Sequence, residues 1–272
     1  MSEHENTVPL FSMSDVSVTF GGIQALSDVA LDVGSRQVLG LIGPNGAGKT
    51  TLFNVACGFV RPDSGSLYLR GKRVERLRPH QLADHRISRT LQGLGLFDRM
   101  TVLENVMVGA DRHAQTGFLS ALAGVGHRDD ARLVSRSRAL LEELGIEAYA
   151  DRLPTSLPYP IRKRVALARA LVAEPELLLL DEPASGLSQE EMADLGTLIR
   201  GLTDRMSVML VEHHMDLVMS VCDDVCVLDF GRVIARGAPD DVRRDPAVLA
   251  AYLGDEVEHR ATEVGRCSRY AI

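Results

Sequence analysis

Cysteine is scarce in this chain: Cys57, Cys222, Cys226 and Cys267 are four among 272 residues. They show no paired zinc spacing and are too few for a disulfide scaffold, so they read as reduced, mostly core, thiols. Long hydrophobic runs are missing too. No stretch approaches the roughly 18 apolar residues of a membrane span, and the run Leu177 to Leu180 ends in charge. The first residues include Glu3, His4 and Glu5 where a secretory leader would carry a basic and then an apolar segment, so the chain is expected in the cytosol. Positive charge is in deficit. A formal net charge of -7 and a pI near 5.6 argue against a nucleic-acid surface, which needs a basic face. No internal repeat is visible. What remains is a globular composition, 45% hydrophobic and 25% charged, in a chain long enough for one large domain or two small ones.

Against that background residues 43 to 50 stand out. Gly43, Pro44, Asn45, Gly46, Ala47, Gly48, Lys49 and Thr50 fill the phosphate-loop pattern G-x-x-x-x-G-K-[ST]. The apolar run Val38 to Ile42 precedes it as a buried parallel strand should, and Leu52, Phe53, Val55 and Ala56 follow with helical spacing. Phosphates carry several negative charges and must not be buried unpaired. Glycines let the loop curl so that main-chain N–H groups point inward, and the first helical turn adds orphan donors and the positive end of its dipole. Lys49 then supplies a point charge at the β and γ phosphates, and the Thr50 hydroxyl is the expected Mg²⁺ ligand.

Along the chain, Val16, Val18 and Phe20, then Val29, Leu31 and Val33, alternate as antiparallel strands after a polar leader. Leu67 to Leu69 form a further strand, a short helical stretch begins near Pro79, and Ile87 to Gln92 reads as a buried strand ending at a polar residue. From Gly93 to about Leu157 the character is helical: Thr101 caps a helix carrying Val102 and Val106, and a glycine-rich connection spans 117–126. An amphipathic helix then runs from about Asp129 to Leu144 and stops at Gly145. Strand and helix alternation resumes with a helix from Ile161 to Ala173, a strand Leu177 to Leu180 and a helix from about Gln189 to Leu202. Strands Val208 to Val211 and Val225 to Leu228 follow. Such alternation predicts a parallel sheet wound with helices, an α/β fold. Two short helices and a tail are expected after Gly237.

Polar residues at strand ends carry the remaining chemistry, because the carboxyl ends of parallel strands face the ligand crevice. Asp181 is placed to complete the Mg²⁺ shell, and Glu182 to take a proton from water attacking the γ phosphate. His213 can hydrogen-bond the γ phosphate and the base. His214 is expected to point elsewhere; a metal pair is disfavoured because neighbouring side chains diverge and no third ligand is spaced nearby. Gln92 is a candidate to orient water or Mg²⁺. Met206, Met209, Met215 and Met219 read as core, and the kinase-like triplet Asp229, Phe230, Gly231 reads as a hairpin turn.

Taken together these residues resemble an ATP-binding cassette (ABC) protein from about Val16 to Gly254, the ATPase subunit of a membrane transporter. By that resemblance Phe20 stacks on adenine, Gly43 to Thr51 bind ATP, and Gln92 is the Q-loop glutamine. Asp181 and Glu182 end the Walker B strand, Ala184 to Ser188 form the D-loop, and His213 is the switch histidine. Within the superfamily the chain is most similar to the ATPase subunits of branched-chain amino-acid importers. The stretches that carry this are Phe20 to Gly22, Met100 to Asn105, Asp181 to Leu187, Glu212 to Val218 and Ala251 to Gly254. The resemblance implies a P-loop NTPase fold with a mostly parallel sheet, an N-terminal antiparallel β part and a helical insertion. Its expected divisions are a leader at 1–13, a nucleotide-binding core at 14–92 and 158–240, a helical subdomain at 93–157, and C-terminal helices and tail at 241–272.

One motif departs from the family. Where LSGGQ or LAYGQ is usual, this chain has Leu157, Pro158, Tyr159, Pro160 and Ile161. The family presses this loop against ATP held by the other subunit; Pro158 has no hydroxyl and Pro160 no N–H, so at least two donors are absent. Folding tolerates the change, because a proline near the first helical position gives up an N–H without an intrahelical partner. Losing a preorganised donor to a developing charge costs roughly 3 kcal/mol, about a hundredfold in rate. Arg162, Lys163 and Arg164 are candidates to compensate by charge, and a loop that bends in another register is the alternative.

The resemblance thus implies a motor subunit using ATP and Mg²⁺, cytoplasmic and peripheral on the inner face of the cell membrane. Its partners would be two transmembrane permeases, a second ABC ATPase in a heterodimer rather than a homodimer, and, indirectly, a solute-binding protein. Alternatives are a low-turnover regulatory subunit, which the broken motif permits, and a soluble ABC ATPase of the DNA-repair or ribosome-acting kind. A small-molecule kinase lacks an evident acceptor pocket.

Overall fold

The computed structural model describes residues 8–90, 93–110 and 127–252, without the side chains of 127–130. They fall into two compact units, one built from residues up to Arg76 together with those from Met209 onward, the other from Leu77 to Val208. In chain order the first unit opens with β1 (Phe11–Phe20), β2 (Ile23–Val33), β3 (Val38–Ile42), α1 (Lys49–Ala56), β4 (Ser64–Leu69) and β5 (Lys72–Val74). The second unit holds β6 (Ile87–Arg89), α2 (Val102–Val108), α3 (His127–Glu143), α4 (Tyr159–Leu171), β7 (Leu177–Asp181) and α5 (Gln189–Leu202). Strand β8 (Ser207–Val211) carries the chain back to the first unit, which continues with α6 (Met215–Val221), β9 (Asp224–Asp229), β10 (Arg232–Gly237) and α7 (Pro239–Arg244), and residues 246–252 are again helical.

In the first unit an antiparallel sheet has the order β2-β1-β4-β5. Strand β1 starts at Phe11, inside the stretch that reads as polar leader, with Phe11 and Met13 each 1% exposed. The reason is a parity slip. Asp15 takes a left-handed φ of 54° and the pairing with β2 shifts between Met13 and Val16, so residues 11 and 13 and then 16 and 18 all face inward. Beside this sheet β3 pairs parallel with β9, and the order runs β10-β9-β3-β8. Every residue of β3 is buried, as a continuous apolar run at the middle of a parallel sheet requires.

In the second unit β6 and β7 pair parallel, Ile87 opposite Leu177. Strand β6 ends at Arg89, short of the predicted Gln92, and residues 91 and 92 lie outside the described residues, as does the glycine-rich 117–126. Thr101 caps α2 as expected, in a reciprocal box with Glu104. Helix α3 begins two residues before the predicted Asp129 and is followed by Gly145 at φ 67°. Helix α4 likewise starts before Ile161, because Pro160 fits inside a first turn whose N–H groups have no partner. Helices α2 and α4 approach closely at Gly109, where any Cβ would collide with the carbonyl oxygen of Arg169. Met206 and Met209 are core, whereas Met215 and Met219 are only half-buried. Among the described residues no helix is long and apolar enough to cross a membrane.

Candidate functional site

Strand β3 delivers the chain into the phosphate loop with Gly43 and Pro44 still buried, then Asn45 and Gly46 emerge. Gly43 at φ 150° has no room for a side chain, since a Cβ would strike the carbonyl oxygen of Leu228 in β9. Gly48 at φ 103° is closed in by the Ala25 carbonyl, 2.8 Å from where its Cβ would stand. Two further main-chain bonds hold the loop: Ala47 donates to Pro44 at 3.2 Å and accepts from Gly231 at 2.9 Å. The Lys49 ammonium folds across the loop and donates to the carbonyls of Gly43 and Pro44 at 2.7 and 2.8 Å. Helix α1 starts behind Gly48 with no side-chain cap and no acidic residue in its first turn. A positive helix end beside an ammonium, with Thr50 exposed and Thr51 half-buried, is an anion-binding arrangement.

Phe20 ends β1 opposite Ile23, and the two are 51% and 75% exposed. An aromatic left that open at a strand end offers a flat apolar face to a ligand. At the end of β8 stands a cluster that sequence reading missed in part. Glu212 is fully buried, and its Oε2 accepts from the main-chain N–H groups of His213 and His214 at 3.1 and 3.3 Å. The Nδ1 of His214 lies 2.9 Å from the same oxygen and His213 Nδ1 3.9 Å from it. The expectation that the two histidines diverge is therefore corrected. Their rings lie 4.0 Å apart, tilted by 39°, drawn together by a shared carboxylate that supplies the third group the sequence did not suggest. The available signal was a carboxylate directly after a strand whose five residues are all buried.

In the second unit Asp181 closes β7 and Glu182 follows, both half-buried. Glu182 has φ 47°, a left-handed conformation that a long side chain adopts only where the surroundings hold it. The turn after it is closed by Ser185 N–H on the Glu182 carbonyl at 3.2 Å and Leu187 N–H on that of Ala184 at 3.1 Å, and Ser188 caps α5. The degenerate stretch is mostly helix start: Leu157 is buried, Pro158 is the N-cap, and Tyr159, Pro160 and Ile161 lie in the first turn of α4. The carbonyl of Pro158 accepts from Arg162, so the four leading N–H positions are 158 to 161. Two of these are prolines, leaving Tyr159 and Ile161 as donors.

The stretch 94–105 is braced from behind. Arg169 donates to the carbonyls of Leu94 and Gly95, each at 2.6 Å, and burial lowers its pKa. Asn105, fully buried, accepts from Phe97 N–H at 2.7 Å, and its amide reaches the carbonyls of Phe97, Met100 and Thr101. On this frame Phe97 and Met100 stand 49% and 36% exposed. Asn105 closes a stretch that carries the resemblance, but its bracing role, like that of Arg169, is recognised only by what it touches.

Residues 26–185 match the ABC transporter family, and 232–258 match the branched-chain amino acid ATP-binding cassette transporter family. The high-affinity branched-chain amino acid transport ATP-binding protein LivG of Escherichia coli (strain K12) is 38% identical over 251 residues, 91% of this chain and 98% of that protein. BraF of Pseudomonas aeruginosa, of the same description, shows the same identity and coverage. The lipopolysaccharide export system ATP-binding protein LptB of Haemophilus influenzae is 33% identical, over 91% of this chain and 98% of that one. Among solved structures, an ATP-binding cassette of an ABC transporter in its ADP conformation superimposes with a TM-score of 0.78 at 29% identity, covering 91% of this chain and all of that one. With its phosphate loop, its acidic end to β7 and these relatives spanning nearly its whole length, the chain belongs to the ABC transporter family.

Proposed function

We propose that this chain is the ATP-hydrolysing motor subunit of an ABC importer for branched-chain amino acids or similar small solutes. The observation that carries the reading is the phosphate loop: glycines at positive φ, an uncapped helix start and Lys49 across its mouth. The C-terminal family match at 232–258 and the LivG and BraF relatives support the solute class.

In this reading the loop N–H groups and Lys49 hold the triphosphate, and Phe20 stacks on the base. Glu182 accepts a proton from the attacking water, and His213, anchored through Glu212, orients the γ phosphate. Thr50, Gln92 and Asp181 are the residues proposed for Mg²⁺; a hydroxyl, an amide carbonyl and a carboxylate are the hard oxygen donors this ion prefers, and when bound it would neutralise charge on the phosphates. The face bearing Phe97 and Met100 receives the cytoplasmic helices of two permease subunits. A solute-binding protein joins them outside the cell, and the ATPase lies on the inner face of the membrane. The helical stretch 93–157 acts as a subdomain that carries this face. Two cassettes close on ATP and rock the permeases between access states. Since α4 lacks two donors, the second cassette is a different chain with a complete signature, and the two ATP sites are unequal.

The test is reconstitution of the complex in liposomes, with uptake of labelled leucine and urea followed on addition of ATP. Leucine uptake that requires hydrolysis and is lost in Lys49→Ala supports the reading. ATP hydrolysis without uptake of any small solute would overturn it.

A further inference from the structure

Residues on the first turns of α4 meet the turn that follows Glu182. Lys163 donates from Nζ to the carbonyl of Pro183 at 2.6 Å, and its ammonium lies 5.2 Å from the centroid of the Tyr159 ring. Tyr159 in turn covers Gly186, at whose Cα a side chain would begin only 3.1 Å from the ring. Tyr159 and Lys163 are four residues apart and so share one face of α4. One side chain grips the residue directly after Glu182 and the other the glycine four residues after it.

That grip matters because the turn carries Glu182 in a left-handed conformation. A cavity of about 70 Å³, lined by Leu180, Leu187, Leu195 and Leu198, borders both Lys163 and Glu182. A void contributes no packing to resist movement, while the left-handed φ of Glu182 needs to be held. Pro158 and Pro160 stiffen the helix start that presents Tyr159, so the substitutions that delete donors also fix the platform.

We propose that Lys163 and Tyr159 are a positioning pair that sets the Glu182 carboxylate for proton transfer. The start of α4 would then serve this chain's own hydrolysis, whatever donors it has lost toward a partner's nucleotide. The proposal rests on Glu182 being the general base.

Lys163→Met keeps the aliphatic stem and removes the ammonium. In the assembled complex kcat for ATP is expected to fall about tenfold, with KM and the equilibrium affinity for MgATP unchanged and the melting temperature within about two degrees of the parent. Lys163→Arg, which can still donate to a carbonyl, should recover most of the rate, and Tyr159→Leu should lose about threefold in kcat. In a Glu182→Gln background Lys163→Met should add nothing further. If turnover survives Glu182→Gln, the assignment of the base falls and the proposal with it. If Glu182→Gln is inactive but Lys163→Met turns over at the parental rate, or loses affinity in step with rate, or Arg fails to rescue, the pair alone is refuted.

Discussion

The starts of α1 and α4 both follow a turn, and they treat their leading N–H groups in opposite ways. Behind Gly48 the start of α1 carries no side-chain cap, whereas Pro158 and Pro160 delete two donors at α4. A third treatment appears at α2 and α5, where Thr101 and Ser188 accept from the main chain and Glu104 and Glu191 accept in return. All of these helices form, because none of the leading N–H groups has a partner inside its own helix. The difference therefore concerns what each end can bind, and an open end is the mark of a site. Removing or restoring single groups tests that contrast.

The widest effect is expected at the open end. Lys49→Ala leaves the loop N–H groups in place without the ammonium beside them, and phosphate release by the assembled complex should fall by about a hundredfold or more. Turnover above about a tenth of the parent would mean that the loop is not where charge is stabilised. Loss of a general base is worth about 10²- to 10⁴-fold, so Glu182→Gln should be nearly as severe. Its effect sharpens the contrast when paired with the matching change in the second cassette: the two losses should be unequal, and equal losses would erase the asymmetry assigned to α4. Restoring donors at the deleted end, with Pro158→Ser and Pro160→Gly together, should raise hydrolysis at the weak site by up to about a hundredfold, the equivalent of roughly 3 kcal/mol. An unchanged rate would show that the site made by α4 never limited turnover.

What could be read from sequence follows the range of the interactions involved. The phosphate loop was legible because its geometry is local: eight consecutive residues and the strand before them dictate where the N–H groups point. Asp181 and Glu182 were legible for the same reason, as charges terminating an apolar strand. The start of β1 was not, since Asp15 inserts a residue and the alternation changes parity. Glu212 was passed over because its burial and its hold on both histidines appear only once β8 is seen to be fully enclosed. Arg169 drew no notice and Lys163 read as a charge compensating the degenerate motif, yet Arg169 reaches back 74 and 75 residues to the carbonyls it braces, and Lys163 forward 20.

Close packing rather than chemistry governs the next effect. At Gly109 the α2 and α4 backbones leave no space for a methyl group, and the atom in the way is a carbonyl oxygen that cannot swing aside. Gly109→Ala should cost about 1–3 kcal/mol in urea unfolding, typical of overpacking. It should also displace Arg169 and so loosen the stretch around Phe97. A variant as stable as the parent would show that α2 shifts freely on α4, which would weaken the view of the 94–105 stretch as a rigid face.

The smallest effect is expected at a closed end. Thr101→Ala removes one cap of α2 and should cost about 1 kcal/mol. The Glu104 carboxyl is held below its usual range by the N–H and then the hydroxyl of Thr101. A depressed carboxylate stabilises the fold above its unfolded pKa, and that contribution is lost as pH falls through the lowered folded value. The hydroxyl part of the advantage of parent over Thr101→Ala should therefore be full at neutral pH and shrink in acid, seen as converging melting temperatures. Pro160 has no titrating partner of this kind at its own position, so the difference between parent and Pro160→Gly should stay level over the same range. If both differences moved together with pH, the acid response would belong to the fold at large rather than to the capping box. The distinction between closed and deleted helix ends would then lose its electrostatic basis.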